Sequence, residues 1–268
     1  MFTPRAVVSV QGLLLLYVDL SEKVKTDLNG LYGKYLIFRE RLTYRRAYKL
    51  ITESDVSKVA LKKYYGADGF LIPHPLRAAF YESFSSMRTS CNPVFLFVGS
   101  LSPRKGIFDL INAFSRIETH NARLIIIGGG ADRGRVEALI EKLGIGDRVE
   151  LRGVCSGDEI VKEMERANFF SLPSYGDTGP TALKEALASG LFPICYDNSG
   201  PHEYINRYCG YLCPTGDISA LTEIMNRAVV NIGSCVAEGL KAAERIRRDL
   251  SRDEVWKKLE VVYREAQA

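Results

Sequence analysis

The chain has 268 residues, 46% of them apolar and 25% charged, and its 36 basic and 32 acidic side chains leave a formal charge of +4. That apolar share excludes a disordered chain, and so small a surplus of positive charge gives no nucleic-acid footprint. The longest run without a charge, Thr89–Pro103, is 15 residues and holds Asn, Pro, Gly and Ser, so no segment reads as a membrane span.

At the start, Met1–Arg5 and the uncharged Ala6–Val18 mimic a signal peptide. No small-residue cleavage site follows and Asp19 and Lys23 intervene, so Ala6–Val10 is read as a buried strand. Long helical stretches come next, and then Gly69–Ile72 as a short strand that ends in Pro73-His74-Pro75. Two clear strands are too few for a sheet of their own. Residues 1–90 therefore look like the latter part of an α/β domain, with the Ser-rich Glu82–Asn92 as a linker. Within them, residues 34–63 hold nine basic side chains (Lys34, Arg39, Arg41, Arg45, Arg46, Lys49, Lys58, Lys62, Lys63) against three acids. That excess fits either a solvated helix face or docking on an anionic membrane surface.

From Val94 onward, short apolar runs alternate with amphipathic segments. The expected strands are Val94–Val98, Arg123–Ile127, Val149–Arg152, Phe169–Leu172, Phe192–Tyr196 and Tyr211–Cys213. The expected helices are Gly106–Ile117, Arg133–Leu143, Asp158–Arg166 and Pro180–Ser189. Such alternation predicts an α/β fold: one complete doubly wound parallel sheet, Rossmann-like, over residues 91–250. A last amphipathic helix, Asp253–Tyr263, occupies residues 251–268. The six cysteines are too sparse for a disulfide scaffold, which points to reduced thiols in a cytoplasmic protein.

In open α/β sheets ligands sit beyond the carboxyl ends of the strands. After the first strand of residues 91–250 comes Gly99-Ser100-Leu101-Ser102-Pro103-Arg104-Lys105-Gly106. A helix start with a lysine at its mouth suits an anion, and also suits a capped helix with two solvated bases. Gly128-Gly129-Gly130 does not meet the dinucleotide spacing, and reads as a turn passing close to a neighbouring loop or a ligand. In PSYGDTGPTALKEALASG, residues 173–190, Asp177 lies in a loop and Glu185 two turns up the adjoining helix. Two such carboxylates can face one cleft and accept hydroxyls of a sugar or ribose, or else be a capping acid and a surface glutamate. A serine-nucleophile elbow, a zinc-protease motif and paired aspartates for a divalent ion are all absent from the sequence, and His202 reads as structural.

FVGSLSPRKG, LIIIGGG, RVELRGV, PSYGDTGPTALKEALASGLFPICYD, SGPHEYI and GYLCPTGD, taken in order, resemble the C-terminal half of retaining GT-B glycosyltransferases of family four. AYKLITESDVSKVALKKYYG with FLIPHP is similar to the family's segment before the domain linker, and AVVSVQGLL to an earlier strand and loop. The resemblance implies a metal-independent, retaining hexosyl transfer from a nucleotide-diphosphate sugar to a glycan or lipid-linked acceptor, without a cofactor. It implies that Lys105, beside Gly99 and Ser100, grips the donor diphosphate. Glu185 would bind the ribose, and Asp177 would approach the donor sugar. Thr178, Gly179, Pro180 and Thr181 would line sugar and phosphate, and the main chain of Arg152, Gly153 and Val154 would contact the base. Three departures stand out: Asp177 for a glutamate, Ser100 for a second phosphate-binding arginine, and Gln11 for a histidine near the donor sugar. They leave a non-catalytic sugar-nucleotide-binding relative, and less so an epimerase on the same fold, as alternatives. Only part of the family's N-terminal domain is matched, so the chain is expected to be a fragment, a late-start product, or paired with another polypeptide.

Overall fold

The computed structural model describes residues 6–10, 31–81 and 92–267. Its first strand, β1, is Val7–Val10; then come α1 (Leu31–Arg46), β2 (Lys49–Thr52), α2 (Asp55–Tyr65) and β3 (Phe70–Leu71). From residue 94 the order is β4 (Val94–Val98), α3 (Ile107–Ser115), β5 (Arg123–Ile127), α4 (Arg133–Lys142), β6 (Val149–Gly153) and α5 (Gly157–Arg166). It continues with β7 (Phe169–Leu172), α6 (Thr181–Ala188), β8 (Phe192–Asp197), α7 (Ser199–Arg207) and β9 (Tyr211–Pro214). Three helices end the chain: α8 (Ile218–Val230), α9 (Ile232–Asp249) and α10 (Arg252–Gln267).

These elements form two compact units. One draws on Met1–Pro75 and Leu250–Ala268, the other on Leu76–Asp249. Residues 76–81, grouped above with the N-terminal part, thus belong to the second unit, and α10 belongs to the first.

The first unit is a parallel sheet in the order β1-β2-β3. Strand residues alternate faces. Leu50 and Val10 therefore pack with Tyr44, Ala60 and Leu61, whereas Ile51 packs with Ile72 and with Val255 and Val262 of α10. Lys49 Nζ reaches Glu265 of α10 at 2.7 Å. The central strand β2 is the one that sequence reading passes over, so three described strands stand where two were expected. Lys49-Leu50-Ile51-Thr52 is short, opens on a lysine and lies between two helical patterns, which hides it from a periodicity test.

The second unit is a six-stranded, wholly parallel sheet in the order β6-β5-β4-β7-β8-β9. Its strands fall where expected, with β6, β8 and β9 each one residue longer. Parallel strands covered on both faces become continuous apolar runs, and Phe95, fully buried, shows the result. Its ring centroid lies 6.0 Å from Phe114 and 4.8 Å from Phe169. Helix α5 carries a capping box in which Ser156 Oγ accepts from Glu159 N and Glu159 Oε2 accepts from Ser156 N. The five described cysteines are free thiols, and burial pushes Cys209 and Cys213 up to about 12. No helix among the described residues is long and apolar enough to cross a membrane.

The end of α9 is held by Asp249, which accepts from Arg207 Nη2 and Tyr208 Oη at 3.0 Å each. Burial alone would raise its carboxyl; the bonds from Tyr208 and Arg207 outweigh that and hold it below the usual range. Stability from a depressed carboxyl is complete above its unfolded pKa and is lost as pH falls through the folded one. Asp249→Asn should therefore lower the melting temperature at pH 7, with the difference from wild type shrinking as pH falls below the ordinary aspartate range. A difference that does not change with pH contradicts this.

Candidate active site

Strand order reverses between β4 and β7. The chain leaves β4 towards β5 on one side, and β7 continues to β8 on the other. At such a switch point the loops after the two strands diverge and leave a crevice at the carboxyl ends. Here those loops are residues 99–106 and 173–180.

Backbone hydrogen bonds fix the first loop. Gly99 N donates to Ile127 O at 3.0 Å, and Leu101 N to Gly129 O at 2.9 Å. The triple glycine makes this approach feasible: a Cβ on Gly128 would lie 1.8 Å from Gly99 O, and one on Gly130 would lie 2.6 Å from Leu101 O. These glycines serve a neighbouring loop, as one of the two sequence readings had it. Pro103–Lys105 then form a single 3-10 turn that closes on Gly106 at φ 69°. A side chain there would be strained by its backbone angle and would set a Cβ 1.7 Å from Pro173 O.

The second loop is stitched to the first. Arg104 O accepts from Tyr175 N at 2.8 Å and from Ser174 Oγ at 3.2 Å, while Arg104 Nη1 donates to Gly176 O at 2.9 Å. Asp109 of α3 accepts from Tyr175 Oη and Tyr196 Oη at 2.6 and 2.8 Å, and burial, with these bonds, raises both phenols. Gly200 N, in the first turn of α7, donates to Asp177 O at 2.8 Å and so places the Asp177 backbone.

Two ion pairs occupy the crevice. Lys105 Nζ donates to both Asp177 oxygens, at 2.8 and 2.7 Å, with side chains 16% and 13% exposed. Arg104 Nη1 lies 3.7 Å from the same carboxylate. Glu185, on α6 and 5% exposed, accepts at 2.6 Å from Nε of Arg77, which is 50% exposed. Lys105, Asp177, Arg77 and Glu185, with Gly99, Gly179, Pro180 and Thr181, line a cleft of about 540 Å³.

The cleft thus brings together Gly99, Lys105, Asp177, Gly179, Pro180, Thr181 and Glu185. Thr178 is buried, and Ser100 points its hydroxyl to Ser102 at 3.2 Å. Arg152 is tied to Glu150 and Glu163, at 2.9 and 3.0 Å, Gly153 O accepts from Gly128 N, and Val154 is 84% exposed. Gln11 lies outside the described residues. His202 sits between Asp197 and Asn206, at 2.5 and 2.7 Å. Arg77 was not foreseen; it follows the Pro73–Pro75 run, whose only signal is an extended backbone. Among the described residues no three His, Cys, Asp or Glu side chains cluster to hold a metal ion.

The family model described as glycosyl transferases group 1 matches residues 82–237. The chain belongs to that family. An exopolysaccharide phosphotransferase of Streptomyces coelicolor is 35% identical over 149 residues, covering 54% of this chain and 16% of that protein. The chain likewise spans half or less of the length of other curated relatives. Among solved structures, sucrose-phosphate synthase from Thermosynechococcus elongatus superposes with a TM-score of 0.85 at 21% identity, over 98% of this chain and 68% of that one. Anabaena HepE in complex with UDP-glucose gives 0.77 at 17% identity, over 96% and 71%. At these identities the likeness is one of fold, and the fold is GT-B.

Since Gly106 sets the approach of the two loops, Gly106→Ala should lower unfolding free energy by at least about 2 kcal/mol in urea titration. A neutral substitution contradicts the close packing of Gly106 on Pro173.

Proposed function

We propose that the chain carries the donor site of a retaining, metal-independent glycosyltransferase that transfers a hexosyl group from a nucleotide-diphosphate sugar. The observation that carries the reading is the pairing of Lys105 with Asp177 in the switch-point cleft, with Glu185 lining the same cleft. A diphosphate takes over the Lys105 ammonium, because two phosphates concentrate more charge than one carboxylate. Asp177, released, accepts hydroxyls of the sugar, and Glu185 accepts those of the ribose. The bond between the anomeric carbon and the diphosphate oxygen breaks as the acceptor oxygen bonds on the same face, and the acceptor's proton passes to the departing oxygen. Lys105 stabilises the negative charge that develops on that oxygen. With a resident ammonium in that place, the chemistry needs no divalent ion.

The family and the Streptomyces relative's exopolysaccharide name favour a growing glycan as the acceptor, and a lipid-linked glycan in the cytoplasm is the form proposed here. A membrane surface suits such an acceptor, and α1 offers the means. Tyr32, Tyr35, Phe38 and Leu42 are exposed at helical spacing on this helix, among Lys34, Arg39, Arg41, Arg45 and Arg46. Aromatic rings with basic neighbours suit the interface of an anionic bilayer.

Calorimetry with UDP, GDP and ADP, with and without EDTA, tests the donor site. Lys105→Ala should remove most of the affinity for whichever the wild type binds, whereas Asp177→Asn should raise it several-fold while lowering transfer. Unchanged affinity in Lys105→Ala, or binding abolished by EDTA, contradicts the reading. For the membrane, co-sedimentation with phosphatidylserine vesicles should fall with salt and with Tyr35→Ser plus Phe38→Ser; sedimentation indifferent to lipid charge and salt contradicts docking.

A further inference from the structure

Arg77 lies outside every motif noted in the sequence, yet it makes the sole hydrogen bond to the Glu185 carboxylate among the described residues. It precedes the 3-10 turn Ala78–Phe80, and its guanidinium is placed by two contacts and by the room left at a glycine. Its Cζ lies 5.2 Å from the centroid of the fully buried Phe80 ring. A Cβ on Gly157, the first residue of α5, would come within 3.2 Å of Nη1, so the missing side chain leaves the slot in which the guanidinium edge lies. Nε then points at Glu185 Oε1, 2.6 Å away.

The pair is unequal. Arg77 keeps half its side chain in water, whereas Glu185 keeps 5%. A nearly buried carboxylate without a partner is costly, whereas a half-exposed arginine loses little when unpaired. A cation is therefore more use to Glu185 than Glu185 is to Arg77. The geometry also has a direction: Oε1 is taken, Oε2 is not, and the carboxylate forms part of the cleft wall. A planar guanidinium, held on face and edge, fixes the carboxylate plane as a flexible ammonium would not.

We propose that Arg77 is a positioning residue for nucleotide recognition. It orients the Glu185 carboxylate and compensates its charge, so that Oε2 is presented to the hydroxyls of a ribose. The inference rests on the donor-site reading above, and it adds a residue from outside the motif together with a consequence for ribose selectivity.

The test compares wild type, Arg77→Ala, Arg77→Lys, Glu185→Gln and the Arg77→Ala/Glu185→Gln double variant by calorimetry. The probes are the best bound of UDP, GDP and ADP and its 2′-deoxy counterpart, with melting temperatures taken alongside. Arg77→Ala should weaken the ribonucleotide about tenfold, the scale of one charged hydrogen bond, and the deoxynucleotide by no more than about twofold. Added to Glu185→Gln, it should cost little more. Arg77→Lys should restore part of the affinity, and it stands in should the alanine variant not fold. Equal losses for both nucleotides, additive effects of the two substitutions, or unchanged affinity in a folded variant each overturn the proposal. A wild type that binds none of the three nucleotides overturns the donor-site reading and this inference with it. Binding by wild type with an indifferent Arg77 variant overturns this inference alone.

Discussion

The contact on which the cleft depends is the bidentate ion pair between Lys105 and Asp177, because it settles the charge of a place largely closed to water. Both side chains are more than four-fifths buried, and neither would sit there alone without a desolvation cost of several kcal/mol. Arg77 and Glu185, which line the same cleft, solve the same problem for the Glu185 carboxylate. Each pair joins a cation from one chain segment to an acid from another, so the charges of these four side chains cancel. Their charge is released only by exchange. An anionic group that takes a cation frees an acid, and the freed acid is then ready for a hydroxyl. The ligand class proposed above offers both kinds of group in one molecule.

Exchange of this kind requires a frame that does not relax when the pairs open. The two loops meet that need through the main chain: Tyr175 N and Ser174 Oγ on Arg104 O, Gly200 N on Asp177 O, and Gly106 pressed on Pro173. None of these contacts uses the charged atoms of the cleft's ion pairs. Asp109 ties the same loop to β8 through the hydroxyls of Tyr175 and Tyr196. The frame is thus made by groups other than the charged atoms of the two ion pairs.

How much of this was legible follows from the range of each interaction. Val94–Val98, Arg123–Ile127 and Phe169–Leu172 were readable because a strand covered on both faces is apolar throughout, a local property. Asp177 and Glu185 could be set beside one cleft because loop and helix adjoin in sequence. Lys49–Thr52 was missed, since its central place in the first sheet comes from β1 and β3, not from its own pattern. Helices α8 and α9 carry no motif and were passed over for that reason. The pairing of Arg77 with Glu185 spans 108 residues and that of Lys105 with Asp177 spans 72, and no spacing rule reaches so far. The sequence left Lys105 either at an anion site or solvated; in the structure its ammonium is paired with Asp177.

A crystal structure of the chain with a bound nucleoside diphosphate tests the exchange most directly. Lys105 Nζ should lie on a phosphate oxygen, with the Asp177 carboxylate turned away from it and Glu185 on the ribose hydroxyls. A nucleotide seated in the cleft with the Lys105–Asp177 pair intact, or seated elsewhere on the chain, would contradict it.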